Sequence, residues 1–535
     1  MTETYWPETV IFWGAGATNA LGFPSTSQQG EFLINISQIE FKEDYLKRLS
    51  GFFRGNYLKE MTDLLYVLDL DISSDKSQSW MVNSVSKGKY AIAQSLFKIK
   101  DNKELENLII TLRYNYDFFA LKQILKLCSA DSNSIVLNVF NLIDYHISNN
   151  EGFYVYIQDK EKCFLNVTRL IGARNALLML MVSCFTATYL EALQNKKETI
   201  NKYRVFADKL TKYMFEEAKR RQDYPKKDRQ FYLFSYAIIS MNWDHFLNWM
   251  IFQAHKDFND ESNDGFAGRH IKLKFFNDFA VMMGLRELLR KNVDKELSTK
   301  IWYPFNESIV PRINDEDHIS DRIVRLGKYY YPHGCLAWRI CPNCGSVTGN
   351  FGDLWDIESK SLFPPSLFST SRLIKNRSAN EKKWVEQGLF DAIECSYCGA
   401  KTELKDTPLI MQTSVKTNIP PVLRMIQSDI NACLENAKHI IFMGYSLPED
   451  DYVWRSILLA RKNDVKCSVV LGCGGPNRWQ KCDNENCIEI GKYKADRKKF
   501  KHFFDLFSKD ALRFNTYGIP DIFDDMKIED LFKFS

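Results

Sequence analysis

This sequence has almost no net charge: 71 Lys and Arg face 67 Asp and Glu, a formal +4 over 535 residues. Balanced charge supplies no whole-chain attraction to nucleic acid or to an anionic membrane, so direct nucleic-acid binding is not expected. An export signal is lacking too, since Met1-Thr2-Glu3-Thr4 opens without a basic start or an apolar stretch before a cleavage site. Long apolar runs are scarce. The longest, Ala176 to Leu193, is near the shortest length that spans a bilayer and is interrupted by Ser183, Thr186, Thr188 and Glu191. It reads as a buried helix, and a cytoplasmic protein with no membrane partner is expected. A disulfide framework is excluded on the same basis. Thirteen cysteines without an export signal have no oxidising compartment, and four of them fall into two tight pairs that point to metal. The basic stretches Lys219 to Arg229 and Lys494 to Lys501 hold one aromatic each, Tyr224 and Phe500, too few to stack a run of bases. They read as solvated surface.

What is present is a set of short apolar runs, each closed by a glycine or polar cluster. Thr9-Val10-Ile11-Phe12-Trp13 ends at Gly14-Ala15-Gly16-Ala17, and Tyr236 to Ser240 ends at Met241-Asn242-Trp243-Asp244. Tyr329-Tyr330-Tyr331 leads to Pro332-His333-Gly334, His439 to Met443 leads to Gly444-Tyr445-Ser446, and Ser468 to Leu471 leads to Gly472-Cys473-Gly474-Gly475. Such runs are buried strands, and the pattern predicts an α/β fold with a parallel sheet. In such sheets the ligand lies beyond the carboxyl ends of the strands, where these clusters would gather. Between about 31 and 230 the texture changes to helical spacing, as in Leu105, Leu108 and Leu112, with a single proline, Pro225.

Several motifs carry chemistry, and each has a plainer reading beside it. Gly14-x-Gly16 after a strand lets backbone approach a pyrophosphate at the start of a following helix, but it also serves an ordinary strand–helix turn. Asn19 stands where a dehydrogenase fingerprint has its third glycine, which argues against hydride transfer. Cys341-Pro342-Asn343-Cys344 and Cys395-Ser396-Tyr397-Cys398 are two knuckles about fifty residues apart. Four thiolates would close a tetrahedral, structural zinc site, with redox chemistry at one pair the lesser alternative. Asp244 either caps the helix that begins after it or joins Asn242 and Trp243 in a nucleotide pocket. His333 is either a structural histidine or an acid–base group.

In chain order these motifs resemble the sirtuin family, and more closely its bacterial defence-associated branch. Gly14-Ala15-Gly16-Ala17-Thr18 with Gly22-Phe23-Pro24 looks like the family's Gly-Ala-Gly-x-Ser…Gly-Ile-Pro. Asn242-Trp243-Asp244 is similar to Asn-Ile-Asp, His333-Gly334 to the catalytic His-Gly, and Gly444-Tyr445-Ser446 to Gly-Thr-Ser, with the knuckles downstream of the histidine. The resemblance implies a Rossmann-like core beginning in 1–30, a helical insertion over 31–230, the core continued with catalytic motifs over 231–340, a zinc-ribbon module over 341–400, and the remaining core and tail over 401–535. It implies that Gly14, Ala15, Gly16 and Ala17 hold the pyrophosphate of NAD, with Gly444 and Ser446 near the adenosine half. Asp244 would bind the nicotinamide carboxamide, Asn242 would order the ribose or water, and His333 would act as base.

The chain departs from deacylating sirtuins, which carry Phe-Arg after Gly-Ile-Pro, whereas Ser25-Thr26-Ser27-Gln28 follows Pro24 here. Water then becomes the natural nucleophile, and the expected reaction is NAD hydrolysis to ADP-ribose and nicotinamide, serving antiphage defence by NAD depletion. The alternatives are an NAD-dependent deacylase or ADP-ribosyltransferase, and a nucleotide-sensing module without turnover. Regulation is expected through the helical block, by homo-oligomerisation or by a partner defence protein such as an ATPase.

Overall fold

The computed structural model describes residues 5–40, 42–69, 84–97, 99–128, 134–157, 161–258, 274–278, 285–292, 295–302, 307, 310–315, 324–336, 338–341, 343–349, 393–394, 398, 401–402, 409, 419–448, 451–461, 465–491 and 497–534. Seven strands form one sheet: β1 (Thr9–Trp13), β2 (Leu233–Ser240), β3 (Lys274–Asp278), β4 (Val324–Tyr330), β5 (His439–Met443), β6 (Lys466–Val470) and β7 (Leu512–Asn515). Across the sheet they run β7-β6-β5-β1-β2-β4-β3, and every pairing is parallel. All five residues of β1 and all five of β5 are buried. Central strands of a parallel sheet covered on both faces require such continuous apolar runs, which is why these two were readable. The fold is mixed α/β, as expected.

Three strands were less legible. β4 begins at Val324, upstream of the tyrosine run, and carries two buried cations, Arg325 and Lys328. Their charge is met inside the protein: Arg325 donates to the Phe231 carbonyl, and Lys328 pairs with Glu307 at 2.6 Å and Asp429 at 2.9 Å. β3 and β7 close the two edges of the sheet.

Helices occupy most of the chain between β1 and β2. The longest, Val167–Asn195, has 29 residues and is capped by the Asn166 side chain, which accepts from the Arg169 amide. Among the described residues it alone is long and apolar enough to cross a membrane, yet 71% of its apolar window is buried inside the protein. Packing therefore accounts for its apolar character. A hairpin, Phe153–Ile157 with Glu161–Leu165, interrupts the helices. Its alternation buries Val155, Cys163 and Leu165 and exposes Tyr154, Tyr156 and Phe164; aromatics on both faces hide a period of two. The basic stretch before β2 is also not all surface, because Arg221 donates to the Leu233 carbonyl at 2.9 Å and Arg229 pairs with Glu307 at 2.6 Å.

The last helices close the unit. Lys209, on helix Lys197–Arg220, donates to the carbonyls of Phe523, Asp524 and Met526 at 2.6, 3.0 and 2.9 Å. Phe206 of that helix stacks on Phe523, and Trp13 at the end of β1 stacks on both.

Candidate functional site

The chain leaves β1 toward β2 on one side, while β5 to β7 lie on the other, so the strand order reverses between β1 and β5. In open α/β sheets the crevice at such a reversal, beyond the carboxyl ends, is where ligands bind. Two loops meet there. The Gly16 amide donates to the Gly444 carbonyl at 2.9 Å, and the Gly14 amide to the Met443 carbonyl at 3.0 Å. A methyl group on Gly14 would lie 2.6 Å from the Gly444 oxygen, and one on Gly444 only 2.0 Å from the Ala17 nitrogen. The glycines are thus required first by the contact between the loops. Ala15 and Gly16 remain exposed, Gly444 and Ser446 are half-buried, and Ala17 is buried.

The helix expected directly after the glycine turn begins later. Two single 3-10 turns, Ala15–Ala17 and Asn19–Leu21, come first, and the α-helix starts at Thr26. Within the turns the Ala17 and Thr18 amides bond to the Gly14 and Ala15 carbonyls at 2.9 and 3.2 Å. Ser25 and Gln28 form a capping box: the Ser25 hydroxyl accepts from the Gln28 amide, and the Gln28 side chain from the Ser25 amide.

Four buried polar side chains line the rim from neighbouring strand ends: Asn242 and Asp244 after β2, His333 after β4, and Asp451 beyond β5. The Asn242 amide donates to the Gly14 carbonyl at 3.2 Å and the Thr18 hydroxyl at 3.3 Å, tying the turn after β2 to the glycine loop. The Leu336 amide donates to the Trp243 carbonyl at 3.0 Å, tying the His333 turn to the Asn242 turn. Asp244, one residue before the helix N-cap position, accepts from the Phe246 amide at 3.1 Å at the start of helix Phe246–Phe258. Burial pushes its carboxyl up to about 6, against the opposing effects of the Phe246 amide and the Asn242 side chain. Trp243 is half-buried and lies against Phe140 with ring centres 6.5 Å apart.

His333 sits in a tight turn in which the Gly334 amide bonds to the Tyr331 carbonyl at 3.0 Å. Its Nε2 lies 4.0 Å from Asp451 Oδ1, and both side chains are shut from solvent. The other Asp451 oxygen accepts from the Tyr445 hydroxyl. Asp451 and Tyr445 were missed by sequence reasoning. Asp451 ends the acidic triplet Glu449-Asp450-Asp451, which looks like surface, and only its position before a helix hinted at more.

The cysteine motifs form a candidate metal centre. Cys341 and Cys344 occupy the turn of the hairpin Trp338–Ile340 with Val347–Gly349, where the Cys341 amide bonds to the Ser346 carbonyl and the Gly345 amide to the Cys341 carbonyl. Cys398 joins them: the three sulfurs lie within 4.8 Å of one another, with Cys341 and Cys398 3.9 Å apart. Sulfurs at 2.3 Å from a tetrahedral zinc stand about 3.8 Å apart, so the donor set and spacing suit that ion. Cys395, the fourth expected ligand, lies outside the described residues. Cys473, Cys482 and Cys487 take part in no second group among the described residues.

No protein-family model matches the chain, and no curated protein matches it.

Proposed function

We propose that this chain is a sirtuin-like NAD hydrolase with a Rossmann-like core and a structural zinc ribbon. The observation that carries the reading is the joining of three strand-end turns at the sheet's reversal point, with Asn242 bonded into the glycine loop and buried His333 on the same rim. NAD would lie along the crevice. Exposed Ala15 and Gly16 give its pyrophosphate close backbone approach, with Gly14 and Ala17 shaping the loop beneath and Gly444 and Ser446 toward the adenosine. The amides of Gly14, Gly16, Ala17 and Thr18 already make protein bonds, so approach rather than those donors would favour the phosphates.

Asp244, its carboxyl pushed up to about 6 by burial, suits the nicotinamide carboxamide, which offers both a donor and an acceptor. Nicotinamide leaves as a neutral group through an oxocarbenium-like transition state, as in glycoside hydrolysis. His333 takes the proton of the attacking water or a ribose hydroxyl. Cys341, Cys344, Cys398 and Cys395 would hold the zinc, whose part is to clamp the loops between β4 and β5. The setting proposed is cytoplasmic antiphage defence by NAD depletion, kept silent through self-assembly or a partner protein.

One observation favours a second reading, nucleotide sensing without turnover: the Asn242 amide is engaged by Gly14 and Thr18, not turned to the crevice. The test is nicotinamide release from NAD alone, and again with an acetylated peptide, each with and without phage lysate to supply the trigger. The hydrolase consumes NAD without the peptide, and His333→Ala and Asn242→Ala each lower turnover about a hundredfold. Release at the wild-type rate by both variants overturns the assignment, and tight binding without product selects the second reading.

A further inference from the structure

Asp451 stands at the N-cap of helix Tyr452–Leu459, a position where an aspartate ordinarily accepts from the amides of the first turn. Its side chain makes no such bond. It is buried instead, with one oxygen on the Tyr445 hydroxyl and the other 4.0 Å from His333 Nε2. An ionisable carboxyl removed from water, and turned away from the local bond its position offers, is costly unless it meets a charge or strong donor elsewhere. His333, from a different strand end, approaches it to 4.0 Å.

The geometry points to Asp451 as a positioning residue for His333, with Tyr445 fixing the carboxylate. The role rests on the NAD-hydrolase reading for its chemistry. Asp451 keeps a proton on Nε2, which leaves Nδ1 to accept the proton released by the attacking water or ribose hydroxyl. The imidazolium so formed is balanced by the Asp451 carboxylate, and the proton returns to solvent when product leaves. No other reactant is required.

Among the described residues, the titratable groups at these strand ends include Asp244 and His245 after β2, Tyr329 on β4, Tyr331 and Cys335 in the turn that carries His333, and Tyr445 itself, all buried. Burial pushes the Tyr329 and Tyr331 hydroxyls upward, so they stay neutral at physiological pH. Asp244 is the second carboxyl here and is the same in every variant below.

The experiment follows the His333 ring by proton NMR titration, its signal assigned by loss in His333→Ala, in the full chain and in Asp451→Asn and Tyr445→Phe. Asn keeps the size of Asp and can still accept from Tyr445, so the fold is retained, and a thermal melt checks this. The expected result is a His333 midpoint lower in Asp451→Asn by about three pH units, the effect of losing a charge about 4 Å away at an effective dielectric of about 20. Turnover of NAD falls about tenfold or more while KM changes little, and Asp451→Glu recovers part of the loss. Tyr445→Phe gives smaller changes in the same direction. An unchanged midpoint in Asp451→Asn overturns the pairing, whatever the activity. A midpoint lowered in Asp451→Asn, beside a wild-type chain that releases no nicotinamide even with phage lysate, leaves the pairing standing and removes the NAD reading instead.

Discussion

Gly444 has φ +61, and a methyl built on it lies 2.0 Å from the Ala17 nitrogen, 2.5 Å from the Gly16 carbonyl carbon and 2.6 Å from the Ala17 Cα. Two effects oppose Gly444→Ala. An L-residue in the left-handed region costs about 1 kcal/mol. The contact adds about 2 kcal/mol or more, because all three atoms are backbone and none can rotate aside. Gly55 separates the two effects. It has φ +56 but nothing within 4 Å of its added methyl, so Gly55→Ala carries only the conformational cost of about 1 kcal/mol. Denaturant unfolding followed by tryptophan fluorescence reads both, as a lower midpoint at constant slope. Trp13, buried at the mouth of the loop, is a local reporter. The expectation is a total near 3 kcal/mol for Gly444→Ala, about threefold the loss in Gly55→Ala, with NAD affinity reduced only in the former. Equal losses in the two variants would show that the loops do not touch, and the crevice argument would fall with them.

Asp244→Asn tests burial against function. The folded carboxyl sits at about 6, above its unfolded value of about 3.9. The folded state therefore holds a proton that the unfolded chain has released, and stability falls as pH rises from about 4 to 6, remaining lower above that window. Removing the ionisable group should stabilise the protein at pH 7 by about 3 kcal/mol, with no gain at pH 3.5, while weakening NAD binding on the proposed reading. A melt series across pH in which wild type and variant run parallel contradicts this. Tyr203→Phe removes the hydroxyl that donates to the Ala17 carbonyl. A loss of about 1 kcal/mol and a weaker NAD KM are expected, and a KM identical to wild type would detach that helix from the loop. Elemental analysis should find one zinc per chain, lost in Cys341→Ser and in Cys344→Ser; undiminished zinc in either variant rules out the cluster as its site.

The strands nearest the candidate site were the most legible, for a physical reason. β1 and β5 are central and parallel, so every residue is buried and all but Thr9 and His439 are apolar, and the glycines that end them are demanded by the contact between Gly16 and Gly444. β4 was half-hidden because Arg325 and Lys328 are buried with partners distant in sequence, and no local pattern announces Glu307 or Asp429. Asp451 was hidden by the same kind of distance. Its meaning depends on His333, 118 positions earlier, reaching the same rim through β4. The three cysteines could be grouped from spacing alone because the knuckle is a local geometry. The short turns after Gly14 could not be foreseen, since the spacing there suits an immediate helix as well as two 3-10 turns.

The helices between β1 and β2 bear on the site more directly than their place in the chain suggests. Lys196 donates to the Ala20 carbonyl at 2.9 Å, and Tyr203, seven residues later, to the Ala17 carbonyl. Phe23 packs against Phe185 of the long apolar helix and against Phe246, which follows Asp244. The glycine loop is thus held from two directions: by Asn242 from the sheet, and by Lys196 and Tyr203 from the helices. The sheet side is a row of parallel strands packed at interior density, with little room to shift. The helical side is long, and a small rotation of helix Lys197–Arg220 would carry Tyr203 and the Ala17 carbonyl with it. On the proposed reading, a signal that moves these helices would act on the glycine loop first, and would reach His333 through Asn242 and through Gly444, Tyr445 and Asp451. Control by the helices should accordingly appear in substrate binding before it appears in turnover.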